Sequence, residues 1–274
     1  MVRPDRFRVA DESAVDNPYM DLGSPVDADR AARQAEGLIE AVRACGIEVK
    51  VFAGDPDAPD GVFPNNVFAT VPGRLLVGSM FHPGRRVEAG RRDIREWFAR
   101  RGYEAHDLAA RACVAELTGP MVLDRARGLG FCGMSNRVDE AGLAAMHQAF
   151  DLRMTFSFAL QPDEYHTNVL MSILAARACV LCPEAFADPD VPRAISVAFP
   201  GRTLELDAGE KNAFAANCIA LTHKDLFISR TAADALRPAS LHTLEQWGFR
   251  LHAVELDEIE KAGGSLRCMV GEVF

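Results

Sequence analysis

The 274-residue chain is short of positive charge: 39 acidic residues outnumber 30 basic ones and the net charge is −9. Phosphate backbones call for a positive surface, so no nucleic-acid partner is expected. No apolar run approaches the ~18 residues that cross a bilayer, so no membrane partner is expected. The first residues, Met-Val-Arg-Pro-Asp-Arg-Phe-Arg-Val, lack the apolar stretch of a secretory signal. A cytoplasmic location with reduced thiols follows as the expectation. The seven cysteines are an odd set without the spacing of a disulfide scaffold. Cys179 and Cys182 form a C-x-x-C inside an apolar strand-like run, with no second pair to complete a zinc site, and read as buried, inert thiols. Glycine-rich phosphate loops are missing, and the seven histidines are scattered away from carboxylates at ligand spacing. Neither a metal nor an organic cofactor is expected.

What is present is the material of a folded core. Hydrophobic residues are 49% and charged residues 25% of the chain. At roughly 150 residues per domain the length allows one large or two small domains. An internal repeat decides between them. Segments beginning at Val67, Met121, Val169, Cys218 and Met269 are each a short apolar strand, and they lie 54, 48, 49 and 51 residues apart. In the first four, a turn leads to a second apolar strand. The turns are Val-Pro-Gly-Arg, Asp-Arg-Ala-Arg-Gly, a less polar third, and Thr-His-Lys-Asp. The pattern then changes to helical spacing over 88–101, 140–150 and 232–247, and a further extended piece follows at 104–108 and 249–256. A period near 50 is too long for a barrel of strand–helix units, which repeats at about 30, and the helix excludes an all-strand blade. The expectation is an α/β (α+β) fold, a five-fold pseudosymmetric propeller of ββαβ units forming one domain over 1–274. The last unit is cut short at Phe274, so strand 7–10 and helix 29–45 are expected to complete it.

The residues just ahead of each first strand carry the chemistry. They are Phe63-Pro64-Asn65-Asn66, Glu116-Leu117-Thr118-Gly119, Tyr165-His166-Thr167-Asn168, Ala215-Ala216-Asn217 and Gly263-Gly264-Ser265-Leu266-Arg267-Cys268. In a closed ring of repeats these segments share one end of the axis, so a thiol, an imidazole, a carboxylate and several carboxamides would meet. Cys268, His166 and Glu116 are the parts of a nucleophilic mechanism, in which a neighbouring imidazolium lowers the thiol pKa. Taken singly, a cysteine is more often a small core residue.

These motifs, with Met134-Ser135-Asn136-Arg137-Val138-Asp139, resemble the guanidino-group-modifying enzymes of the pentein superfamily. That group includes dimethylarginine dimethylaminohydrolase, arginine deiminase and amidinotransferases. The resemblance covers essentially the whole chain and implies an α/β propeller. It implies Cys268 as the nucleophile on the guanidino carbon, with His166 as general acid and then base. It implies Glu116 as the carboxylate that holds substrate nitrogens and positions the histidine. Arg137 and Arg86 are implied as the clamp on the substrate α-carboxylate.

Deiminases carry aspartates where Asn66 and Asn168 stand, and amides offer no charge to a cation. The amides therefore favour a neutral ureido group, and Asn65 stands beside them. Amide-bearing relatives include enzymes that hydrolyse citrulline or take arginine through citrulline to ornithine. A cysteine-dependent hydrolase of a small guanidino or ureido amino acid is expected, with citrulline or arginine to ornithine placed ahead. Dimethylarginine hydrolysis, deimination to citrulline, amidino transfer and non-catalytic binding by a ring-shaped protein are the alternatives. The loop 16–20 is expected to close the pocket, with Asn17 touching ligand. A homo-oligomer is left open.

Overall fold

The computed structural model describes residues 1–10 and 12–274. Four three-stranded sheets form, one for each of the first four repeats. They are β1 (Phe68–Val71), β2 (Arg74–Val77) and β3 (Glu104–Asp107); β4 (Met121–Asp124), β5 (Leu129–Met134) and β6 (Met154–Ala159); β7 (Met171–Leu174), β8 (Ala178–Leu181) and β9 (Thr203–Glu205); and β10 (Ile219–Ala220), β11 (Asp225–Ser229) and β12 (Arg250–Val254). In every sheet the first two strands are an antiparallel hairpin and the third returns parallel to the second. A parallel return needs a crossover, and the helical stretch of each repeat supplies it. Strand β7 packs against both β4 and β10, so first strands of successive units lie side by side.

Local chemistry explains the hairpins. Gly73 and Gly128 take φ of 73° and 65° at the turns of the first two units, a conformation that suits glycine. The less polar third turn places Ala175 and Ala176 at φ of 49° and 54°, where a Cβ is strained. Aspartates cap the helices: Asp139 accepts from Gly142 N ahead of Glu140–Ala149, and Asp207 closes a capping box with Glu210. Two helical stretches are broken. The 88–101 pattern becomes Pro83–Ala89 and Arg92–Ala99, parted at Gly90 and Arg91. The 232–247 pattern becomes Arg230–Ala235 and Pro238–Gln246, because Pro238 cannot continue the preceding helix.

No fifth sheet forms among the described residues. Segment 7–10 is not a strand: Pro4 accepts from Phe7 N and Arg6 takes φ of 58°, so a turn stands there, with Phe7 buried. The pairing at that end is one parallel bridge, Val2 with Phe52. The helix 29–45 is present as Ala28–Ala44. Leu266–Met269 is a helical turn rather than a strand, like Thr167–Leu170 ahead of β7. Among the described residues, no helix is long and apolar enough to cross a membrane.

Candidate active site

The turns ahead of the first strands bond one to the next across the repeats. Asn65 Nδ2 donates to Thr118 Oγ1 (3.2 Å), Asn168 Nδ2 to Thr118 O (3.0 Å), Asn217 Nδ2 to Asn168 O (2.8 Å), and Arg267 N to Asn217 Oδ1 (3.0 Å). These bonds satisfy backbone and amide groups that burial would otherwise strand. They also bring Cys268, from the tail, onto residues a hundred positions earlier. Asn217 Nδ2 lies 3.3 Å and Asn168 Nδ2 3.6 Å from Cys268 Sγ.

Beside them, His166 Nε2 lies 2.9 Å from Glu116 Oε2, both side chains essentially inaccessible. Glu116 also accepts from Phe81 N (3.2 Å) and Arg137 Nη1 (3.4 Å). Burial raises the Glu116 carboxyl, but Arg137 and His166 outweigh it and hold it well below the usual range. Burial drives His166 the other way, down to about 4, despite Glu116. At neutral pH the pair is a carboxylate and a neutral imidazole. A carboxylate can only accept, so Nε2 carries the proton and Nδ1 is a bare acceptor, buried without a partner.

Gly119 makes this arrangement fit. A Cβ there would sit 2.6 Å from His166 Nε2 and 2.8 Å from Asn66 Oδ1. No Cβ tolerates such contacts, so only glycine lets Asn66 and His166 approach at this point.

A cavity of about 20 Å³ opens on Cys268, lined by Ser13, Asn17, Asp60, Phe63, Asn66, Arg85, Arg137 and Tyr165 among others. It is small and of mixed polarity, with Phe63 and Ala262 beside the charged groups. Asn66 Oδ1 and Asp60 Oδ1 are buried in it without partners. A larger apolar cavity, about 280 Å³, lies where a fifth sheet would stand, against Phe52, Trp97 and Phe274; its lining holds neither cysteine nor histidine.

Several expectations need correction. Arg86 does not reach the site: it is exposed, and its Nε (3.0 Å) and Nη2 (3.2 Å) donate to the carbonyls of Met80 and Phe81. Its neighbour Arg85 lines the cavity instead, bidentate to Glu88 at 3.0 and 2.9 Å and buried. The thiol is not lowered by an imidazolium, because His166 is neutral and burial pushes Cys268 up, against pulls from the Asn217 side chain and the Ser265 backbone. Asn168 is committed to Thr118 and the thiol rather than free to clamp a substrate. Asn65 bonds Thr118 and keeps one buried oxygen unpaired. Besides Glu116, a second carboxylic group stands in the site: Asp60 accepts from Ser13 Oγ at 2.5 Å. Asn17 lines the cavity and donates to Gly263 O at 3.3 Å. Asp60 and Arg85 carried no sequence signal of their own, whereas Asn217 stands at the same repeat position as Asn168.

The remaining thiols lie elsewhere. Cys179 is buried and pushed up by burial, as Cys182 is. One cluster, Cys45, Asp225 and His252, has donor atoms within 4.8 Å of one another. Arg250 already holds Asp225 through two nitrogens at 2.8 and 2.6 Å, so a cation there would have to displace a guanidinium.

Comparison with known proteins places the chain in a family. A dimethylarginine dimethylaminohydrolase of Mycobacterium tuberculosis is 24% identical over 257 residues, 94% of this chain and 80% of that protein. The bifunctional arginine dihydrolase/ornithine cyclodeaminase ArgZ of Synechocystis is 23% identical over 270 residues, 98% of this chain; the chain spans 36% of that protein's length. The N-terminal domain of ArgZ, an arginine dihydrolase solved with bound substrate, superposes with a TM-score of 0.84 at 21% identity, over 98% of this chain and 95% of that one. The sequence profile of the family described as N,N dimethylarginine dimethylhydrolase, eukaryotic, matches residues 3–274, and the chain belongs to that family of hydrolases acting on C–N bonds of guanidino compounds.

Proposed function

We propose that the protein is a single-domain thiol hydrolase that converts arginine, and citrulline formed from it, to ornithine through a covalent bond to Cys268. The observation that carries this reading is the placement of Cys268 Sγ under two carboxamide donors, on a cavity that also holds Arg85, Arg137 and the unpaired oxygens of Asn66 and Asp60. Unpaired buried acceptors are costly, and the N–H groups of a guanidinium or ureido head would satisfy them. Asn66 supplies an uncharged acceptor, suited to either head, and Asp60 a carboxyl suited to the cation.

Both thiol and imidazole rest neutral, so the proton must move when substrate arrives. In this reading, the guanidinium's own positive charge favours the thiolate, and His166 Nδ1 takes the thiol proton. Sγ then bonds to the guanidino carbon, and ammonia leaves with the proton that Nδ1 held. The amidino group stays on sulfur. Water gives a proton to Nδ1 and attacks that carbon, the C–S bond breaks, and sulfur regains the proton, leaving citrulline. A second round on the ureido carbon with a second water releases another ammonia and the carbon as carbon dioxide, leaving ornithine. Glu116 keeps Nε2 protonated throughout, so Nδ1 remains the working atom.

The family match favours a second reading, dimethylarginine hydrolysis to citrulline, in which dimethylamine is the leaving group of the first round. Incubation with arginine, citrulline, agmatine and dimethylarginine, followed by assay of ornithine, citrulline, ammonia and dimethylamine, separates the two. Ornithine from both arginine and citrulline is the expected outcome. Citrulline that accumulates from dimethylarginine, without ornithine, would replace the first reading with the second.

A further inference from the structure

We propose that Asp16 is a built-in stand-in for the carboxylate of the substrate: it fills the fork of Arg137 and must leave before a substrate carboxylate can bind there. This rests on the reading above, that the substrate is a guanidino or ureido amino acid.

Arg137 is 2% exposed, and each of its three nitrogens already donates to a carboxylate. Nη2 donates to Asp16 Oδ1 at 2.6 Å and Nε to Asp16 Oδ2 at 3.0 Å, a two-point pairing on the edge a free carboxylate would take. Nη1 turns to Glu116, and the Tyr165 ring lies 5.5 Å from the guanidinium carbon. His82 Nε2, 2.9 Å from Oδ1, adds a third partner to Asp16. Arg85, the other cavity arginine, offers no free fork either, because Glu88 occupies it. An incoming α-carboxylate therefore finds an anion of its own charge and shape already in place.

The neighbourhood is built for exchange. Residues 12–20 strap the cavity with side-chain contacts: Ser13 on Asp60, Asn17 on Gly263 O, and Tyr19 Oη on Glu164 at 2.7 Å. A cavity of about 20 Å³ admits roughly one water and no amino acid, so the strap must move for any substrate. On its far side lies an open hollow of about 520 Å³, lined by Val15, Asp16, Asn136, Gln161 and Glu164. Asp16 thus has water on one side and Arg137 on the other. Trading one carboxylate for another leaves the charge around Arg137 unchanged, and the substrate's carboxylate supplies the pairing that Asp16 gives up.

The test compares arginine with agmatine, which has the guanidino head but no carboxylate, in Asp16→Asn and Asp16→Ala. Removing the internal competitor is expected to lower KM for arginine by about tenfold, the equivalent of one charge-assisted pair, and to move agmatine's KM by less than about twofold. A structural role for Asp16 would move both substrates together. An arginine KM that stays put or rises, or an agmatine KM that falls alongside it, overturns the proposal. If the variants fail to fold, a crystal structure of Cys268→Ala soaked with arginine decides. Asp16 released from Arg137 supports the exchange, and Asp16 still paired while the substrate carboxylate sits elsewhere refutes it. Absence of turnover of arginine, citrulline and dimethylarginine by the unmodified protein would instead refute the hydrolase reading, and this inference with it.

Discussion

Neutral His166 makes the stability of the protein depend on pH in a calculable way. The imidazole ordinarily titrates near 6.5, and burial brings it to about 4 in the folded chain. Between those values the unfolded chain binds a proton that the folded chain refuses, so stability is complete above the unfolded value and falls as pH drops toward the folded one. A gap of about 2.5 units corresponds to about 3 kcal/mol in full, and to about 2 kcal/mol at about pH 5 relative to about pH 7.5. Urea unfolding of the protein and of His166→Gln at those two pH values isolates the effect, because glutamine can still donate to Glu116 but does not titrate. The Met1 amine, lowered by burial to about 6, also loses stability on acidification, but equally in both proteins. Glu116 is depressed, so its contribution is lost only below the usual carboxylate range, outside the interval. The variant should therefore lose about 2 kcal/mol less than the parent on going to the lower pH. Equal losses would show that His166 is not held neutral, and the proton route through Nδ1 would fall with it.

Further expectations concern single contacts. Gly119→Ala pushes a methyl into His166 and Asn66 and should cut kcat at least about a hundredfold, as a displacement of about 1 Å at a reacting group does, while circular dichroism stays unchanged. A Gly119→Ala enzyme with parental kcat would contradict the packing. Arg85→Ala strands the buried Glu88 and should cost about 3–5 kcal/mol in denaturant unfolding. Arg86→Ala should leave KM as it was; a raised KM would restore Arg86 to the site. Ala176→Gly relieves a left-handed φ and should raise stability by about 0.5–1 kcal/mol, seen as a higher urea midpoint.

The repeat was legible because its strands are short apolar runs at near-constant spacing. Four of the units became sheets in which two strands joined by a turn are followed by a helix and a third strand; that the third returns parallel was not read from the sequence. Its last unit was not. An apolar run such as Cys268-Met-Val reads as strand, but its backbone is taken up by a turn around the thiol. Proline and glycine decided where helices broke, and helical spacing across Pro238 concealed that break. At the site, residues immediately before each first strand were found by their shared position. Arg85 and Arg86 could not be told apart, because adjacent helical residues differ in direction by about 100° and one-dimensional spacing does not say which faces inward. Asp60 sits in a loop with no repeat equivalent, so only folding brings it to Cys268. The protonation state was invisible for another reason: it depends on how deeply both groups are buried, which sequence does not state.

The most direct test of the central claim is quenched-turnover mass spectrometry with arginine. The account predicts a peptide carrying Cys268 heavier by arginine less ammonia, absent from Cys268→Ser, which should show no turnover. Full turnover by Cys268→Ser, or an adduct on another cysteine, would contradict it.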